Sequence, residues 1–147
     1  MAERGLVLDA LVRPLHLPSL ARLAERHPGL SIVIDHAAKP DLADLAGWSA
    51  DMASLATLPN VACKLSGLLT ELKPGQSPDA IRSAFDALWQ IFGPDRLLWG
   101  SDWPVVTLAA SREDWLTLAR SLVPVEHRGT VFAANATRIY RLDAPHP

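Results

Sequence analysis

Short apolar runs alternate with longer amphipathic stretches along this chain. Four runs, over residues 5–12, 30–34, 61–65 and 96–99, are too short for helices and are bounded by glycine, proline or polar residues, as buried strands are. Apolar residues at helical spacing follow each run, over residues 18–27, 48–58, 78–92 and 111–123. A last helix is predicted over about residues 127–140. Four successive strand–helix units predict an α/β fold with a parallel sheet.

The carboxyl ends of these strands carry small or polar residues, with the exception of the first strand. Ligands of parallel α/β sheets collect at that edge, and this regular placing favours a (β/α) barrel over a doubly wound sheet. No glycine-rich phosphate loop follows any strand, so nucleotide binding lacks its main sequence signal. Residues 1–147 are expected to form a single domain.

Composition narrows the classes of function. A hydrophobic content of 49% with 20% charged residues is typical of a globular core. The net charge of -2 and the scattered basic residues argue against nucleic-acid binding. The sequence has neither a membrane-length apolar stretch nor a signal peptide, which predicts a cytoplasmic protein with no membrane partner. Its single cysteine, Cys63, lies in an apolar run and is expected to be a buried, inert thiol.

Asp102 stands immediately after the fourth predicted strand, where two interpretations compete. Either Ser101 or Asp102 caps the next helix, with Pro104 just inside its start, or the acid belongs to a site at the strand end.

Strand alternation indicates which side chains could share a pocket. His36 shares a face with Ile32 and Ile34, and Asp102 shares one with Gly100. If those faces point into a barrel, four groups converge: His36, Lys64, Ser66 and Asp102. Such a set is expected of a hydrolase, in which a carboxylate takes a proton from water and a cation or imidazole stabilises the oxyanion.

Other polar residues have simpler interpretations. Asp9 and Arg13 lie on one face and can satisfy each other, although Arg13 is also placed to hold a substrate carboxylate or hydroxyl. Asp35 lies opposite His36 and is expected to pair with a neighbouring loop. Of the five tryptophans, Trp103 is expected to lie outside the core and the others mostly within it. The remaining histidines have no expected catalytic role: His16, His27, His127 and His146.

Three motifs in order resemble the amidohydrolase-related metal-dependent hydrolases. They are Val-Ile-Asp-His-Ala-Ala-Lys-Pro at 33–40, Cys-Lys-Leu-Ser-Gly-Leu at 63–68 and Leu-Trp-Gly-Ser-Asp-Trp-Pro-Val at 98–105. The closing Asn-Ala-Thr-Arg-Ile-Tyr at 135–140 matches as well. The branch that the chain resembles comprises the fuconolactonase-type and rhamnonolactonase-type sugar lactonases and the dicarboxylate pyrone lactonase.

The resemblance implies strands five to eight of a TIM-type barrel and a lactone-opening reaction. Asp102 would activate the hydrolytic water, and His36 would polarise the scissile carbonyl or bind a metal. Lys64 would contact the substrate, and Ser66, Arg13 and Trp103 complete the expected substrate-binding set. The resemblance leaves open whether the site binds one divalent, zinc-like ion. His36 and Asp102 would supply two of the three protein ligands that catalytic zinc usually has.

The chain departs from the family pattern because it lacks the His-x-His of the first strand. Four strands also leave two bare edges, whereas a full barrel takes about 250 residues. The chain is therefore expected to be a truncated gene product, a fragment, or a half barrel that pairs with another copy or a missing N-terminal half. Two hypotheses follow: a sugar lactonase, or an inert half barrel that persists only as an oligomer or with a partner.

Overall fold

The computed structural model of the chain describes residues 1–142, so His146 and the end of the expected domain lie outside it. Four parallel strands form one sheet in the order β1-β2-β3-β4. They are β1 (Leu8–Ala10), β2 (Ile32–Ile34), β3 (Val61–Leu65) and β4 (Leu97–Trp99). A helix follows each strand: α1 (Leu17–Arg26), α2 (Ala46–Ala56), α3 (Asp79–Phe92) and α4 (Arg112–Leu122). The predicted α/β class and parallel sheet are confirmed.

The helices cover one face of the sheet and hold most of the core. Side chains such as Ile32, Ile34 and Cys63 point into that layer and are fully buried. Val33, Ala62 and Leu98 point to the opposite face, where they form a small second cluster. The amphipathic helices need an apolar surface to bury, and the branched side chains of β2 supply it. Ile32 and Ile34 therefore pack against the helices and do not face the second side of the sheet, contrary to the sequence expectation.

The helix ends follow the sequence closely. The hydroxyl of Ser111 accepts a hydrogen bond from the Asp114 amide, and the Asp114 carboxylate accepts one from the Ser111 amide. This is the capping box that the serine and the acid three residues later predict. Burial raises the pKa of the Cys63 thiol, as expected for an inert core cysteine.

Two predicted elements have different bounds in the structure. β1 is only three residues long, because Gly5 closes a turn in left-handed backbone (φ 65°) and pairing with β2 begins at Leu8. The last helix contains a π-helical turn over Thr130–Ala134 before α5 (Asn135–Tyr140). A π-helical turn changes the direction in which the side chains after it point.

Asn135 fixes α5 to the amino-terminal end of β4. Its side-chain amide donates to the carbonyl oxygens of Pro94 (2.7 Å) and Leu97 (2.8 Å), and the residue is 2% exposed. Ile139 and Tyr140 then lie against the second face of the sheet. The buried amide of Asn135 thus helps to fix where α5 packs, together with the hydrogen bond from Arg138 to the Asp95 carbonyl (2.6 Å).

Both edge strands, β1 and β4, have one neighbour each within the described residues. Their outer backbone groups are available to further strands, which is the open edge expected from the sequence. None of the helices in the described part of the chain has the length and apolar character needed to span a bilayer.

We predict that Asn135→Ala lowers the free energy of unfolding by about 2 kcal/mol, because two carbonyl groups lose a buried donor. Urea denaturation followed by circular dichroism measures the change. Gln90→Ala, on the exposed face of α3, is the control and should change stability by less than about 0.5 kcal/mol. Equal stabilities for the two variants would contradict this account of α5.

Candidate active site

His36 and Asp102 face each other at the carboxyl edge of the sheet. His36 follows β2 and Asp102 follows β4, and the distance from His36 Nε2 to Asp102 Oδ1 is 3.4 Å. The two side chains are 18% and 8% exposed, respectively. The convergence of these two groups, expected from the sequence, is therefore found.

Both residues have left-handed backbone, which L-amino acids rarely adopt. Four consecutive residues, from His36 to Lys39, have φ between 50° and 59°, and Asp102 has φ 55°. Each such residue costs about 1–2 kcal/mol relative to right-handed backbone. Non-glycine residues in this region concentrate at functional sites, where the surrounding structure holds them. Backbone strain is therefore found at both residues that the sequence singles out.

The left-handed turn at 36–39 explains how His36 reaches the site. Regular alternation would place its side chain with Ile32 and Ile34 against the helices, but the backbone leaves the extended conformation at His36. Two contacts stabilise the turn. The indole of Trp48 donates to the Ala37 carbonyl (2.7 Å), and the Lys39 ammonium pairs with the Glu71 carboxylate (2.9 Å).

The loop after β3 forms a seat for the His36 ring. Ser66 Oγ lies 2.8 Å from His36 Nδ1, and Ser66 is 1% exposed. Gly67 has φ +64°, and a Cβ placed on it would be 2.7 Å from His36 Cγ and Nδ1. The ring thus packs directly on the Ser66–Gly67 backbone, which a larger residue at position 67 would prevent.

The Asp102 carboxylate is only partly satisfied. Its Oδ1 faces His36, while its Oδ2 is buried and has no hydrogen-bond partner within residues 1–142. The next helical turn, Val105–Leu108, has no side-chain cap, so the capping interpretation of Ser101 and Asp102 is wrong. A buried, unpaired carboxylate oxygen is costly unless a proton, a water or a cation meets it. The Asp102 carboxylate is therefore available to bind a proton, a water molecule or a cation.

Lys64 points from β3 to the second face of the sheet, where two carboxylates surround its ammonium group. Its ammonium is 2.8 Å from Asp35 Oδ1 and 3.2 Å from Asp9 Oδ2, and the Tyr140 hydroxyl donates to Asp9. Burial alone would lower the pKa of Lys64, but the neighbouring Asp35 carboxylate and Tyr140 raise it. Burial, followed by the bond to Asp9, raises the pKa of Tyr140 to about 12.

These contacts correct two expectations from the sequence. Asp35 pairs with Lys64 of the neighbouring strand and not with a loop, because strand alternation from Val33 places Asp35 on the second face of the sheet, where Lys64 lies. Asp9 pairs with Lys64 and Tyr140 and not with Arg13. The sequence does not predict Tyr140 as a partner of these residues, because its position depends on how α5 packs and no local pattern shows that packing.

Trp103 follows Asp102 directly, whereas Arg13 lines a groove that neither His36 nor Asp102 lines. Trp103 is 67% exposed, which confirms it as the exception among the tryptophans. Arg13 lines a groove of about 470 Å³ with Lys39, Glu71 and Lys73. Within the described ranges the guanidinium of Arg13 makes no ion pair, whereas both lysines do.

Two protein groups in the site could hold a metal ion. In the part of the chain that the structure describes, no group of three histidine, cysteine or carboxylate side chains is placed to bind one. The donors at the site are His36 Nε2 and the Asp102 carboxylate, as the sequence indicated.

Comparison with known proteins places these residues in context. A family model described as amidohydrolase matches residues 1–142. Two curated relatives are L-fucono-1,5-lactonases: that of Burkholderia ambifaria is 46% identical and that of Burkholderia multivorans 39% identical. The alignments cover 99% and 95% of this chain but 53% and 52% of the relatives, so the chain spans about half the length of the relatives that it matches.

A solved structure shows the same architecture. The crystal structure of an amidohydrolase from Burkholderia multivorans with bound zinc superposes with a TM-score of 0.87 at 38% sequence identity. The superposition covers 95% of this chain and 54% of that one. The described sheet and helices thus correspond to about half of a longer fold.

We predict that Gly67→Ala destabilises the chain by about 1–3 kcal/mol more than Gly75→Ala does. Both positions have positive φ, at +64° and +83°, so both variants carry the cost of left-handed alanine. Only at Gly67 would the new methyl group collide with His36, because nothing lies within 4 Å of it at Gly75. Urea denaturation of both variants measures the difference, and equal losses would show that the ring does not pack on Gly67.

Proposed function

The chain belongs to the amidohydrolase family, and on that premise we propose that it forms part of a hydrolase that opens a sugar lactone. The observation that carries the proposal is the buried pair of His36 and Asp102 at the carboxyl edge of the sheet, with one carboxylate oxygen unpaired. The names of the two curated relatives support a lactone of the L-fucono-1,5-lactone class as substrate.

The proposed reaction is addition of water to the lactone carbonyl. Asp102 Oδ2, which lacks a partner in the described residues, accepts a proton from the attacking water. The ring nitrogen of His36 that faces Asp102 stabilises the negative charge that develops on the carbonyl oxygen. The bond between the acyl carbon and the ring oxygen then breaks, the proton passes to that oxygen, and a hydroxy acid leaves.

The same two residues fit a divalent metal ion. His36 Nε2 and Asp102 Oδ1 lie 3.4 Å apart, close enough for both to contact one ion. The buried, unpaired Oδ2 gives the site the charge that such an ion needs. His36 and Asp102 would hold the ion, which when bound would lower the pKa of water and polarise a carbonyl.

Substrate contacts are proposed at three residues: Arg13, Trp103 and Lys64. Arg13 lines the groove that includes Lys39 and makes no ion pair in the described residues, which suits it to hydroxyl or carboxylate groups of the substrate. Trp103 offers an exposed ring beside the reacting acid. Lys64 lies on the face of β3 that leads to the site, although acids already bind it. Ser66, expected from the sequence as a fourth contact, is buried against His36 and is not proposed to touch the substrate.

The chain is further proposed to be one half-barrel domain, corresponding to strands five to eight. The open edges of β1 and β4 and the length of the relatives support this. A second half, supplied by another copy or by an N-terminal half, would pair with both edges and add the remaining site residues. The competing hypothesis of an inert half barrel requires folding that depends on concentration and an absence of hydrolysis at any concentration.

We predict that Asp102→Asn lowers kcat for hydrolysis of L-fucono-1,5-lactone by on the order of 10²-fold or more, because the base is lost. Asparagine tolerates the left-handed backbone at position 102, so the loop should keep its conformation. The assay follows acid release by the chain over a range of protein concentrations.

Asp86→Asn, at an exposed position on α3, is the matched control and should keep the original rate. An Asp102→Asn variant as active as the parent would refute the assignment of the base. Absence of hydrolysis by the parent chain at every concentration, with and without a complementary N-terminal half, would favour the inert half barrel.

A further inference from the structure

The position of the His36 ring depends on more than its own backbone. The left-handed turn brings the Cα of His36 to the site, but rotation about the side-chain bonds still decides where the two ring nitrogens point. Nδ1 lies 2.8 Å from Ser66 Oγ, and Nε2 lies 3.4 Å from Asp102 Oδ1. The ring is therefore held between a hydroxyl on one side and a carboxylate on the other.

The hydroxyl is itself fixed in place. Ser66 is 1% exposed, so a substrate arriving from solvent does not reach it directly. A Cβ on Gly100 would lie 3.1 Å from Ser66 Cβ and 3.4 Å from its Oγ, so β4 closes over this side chain. The amide of Gly100 also donates to the Leu65 carbonyl (3.1 Å), which extends the pairing of β3 and β4 up to the site.

We propose that Ser66 is a positioning residue, whose hydroxyl holds the His36 ring so that Nε2 faces Asp102. A serine hydroxyl both donates and accepts, so it can pair with Nδ1 whether or not that nitrogen carries a proton. In metal sites, a side chain that hydrogen-bonds the second ring nitrogen of a functional histidine is typically important: its mutation lowers activity or metal affinity about 10–100-fold. The role in catalysis rests on the proposed function, whereas the role in orienting the ring does not.

This assignment separates Ser66 from the groups that touch the substrate. Its buried hydroxyl acts through His36, in contrast to the exposed Trp103. Loss of the hydroxyl should therefore reduce kcat and leave KM largely unchanged.

The test uses Ser66→Ala, Ser66→Thr and the control Ser83→Ala, whose hydroxyl lies at an exposed position on α3. The 147-residue chain with ¹⁵N-labelled histidine is examined by NMR at fixed pH, and the His36 signals are assigned from their loss in His36→Asn. Ser66→Ala should shift both His36 ring nitrogens and broaden or double their signals, because the ring loses its partner. Ser66→Thr, which keeps the hydroxyl, and Ser83→Ala should preserve the parent spectrum.

Unchanged His36 signals in Ser66→Ala would overturn the proposal. The same shifts in Ser66→Thr as in Ser66→Ala would also overturn it, since packing and not the hydroxyl would then be responsible. Should Ser66→Ala fail to fold, Gly100→Ala displaces the hydroxyl instead, and the His36 signals should move in that variant while the other histidines keep theirs.

Lactone hydrolysis provides the second readout. We expect Ser66→Ala to lower kcat by about 10-fold or more with KM changed by less than about twofold. A raised KM with unchanged kcat would mean direct substrate contact and would overturn the positioning role. If the parent chain hydrolyses no lactone, either alone or together with the complementary half, the proposed function fails, and the NMR comparison still decides whether Ser66 holds the ring.

Discussion

The left-handed turn from His36 to Lys39 is the constraint on which the site depends. In extended backbone the imidazole would lie with Ile34 against the helices, where it could contribute only to packing. Four left-handed residues cost several kcal/mol together, at about 1–2 kcal/mol each. The fully buried Ala37 and Ala38, the hydrogen bond from Trp48 and the Lys39–Glu71 ion pair offset that cost. The core of the fold thus stabilises a local conformation that only the site requires.

Three strand ends combine around this turn. β2 supplies His36, β4 supplies Asp102, and the strand between them supplies Ser66 and Gly67. Because the strands are parallel, their carboxyl ends meet at one edge, and the two reacting groups can approach each other across β3. The sheet itself therefore provides the distance between the histidine and the acid, and the glycine after β3 provides the space.

The sequence predicts the regular parts of this structure well and the irregular parts poorly. Hydrophobic periodicity identifies the four strands and four main helices, and Ser111 with Asp114 identifies a helix start. Alternation along β2 predicts the wrong face for His36, because the residue types in Asp-His-Ala-Ala do not predict a run of left-handed backbone. The partners of Lys64 could not be predicted either, since Tyr140 reaches Asp9 only through long-range packing of α5. The site residues at strand ends could be predicted from the sequence. Those whose conformation depends on tertiary contacts could not.

The central claim is that His36 and Asp102 form the reacting part of a lactonase site that a second half barrel completes. The most direct measurement is the rate of L-fucono-1,5-lactone hydrolysis by this chain as a complementary polypeptide is titrated in. That polypeptide is the part of the Burkholderia ambifaria lactonase to which this chain does not align, and the full-length relative is the positive control. The account predicts a rate that rises and saturates near equal amounts and that is lost with Asp102→Asn. A complex that forms but hydrolyses no lactone, under conditions in which the full-length relative is active, would contradict it.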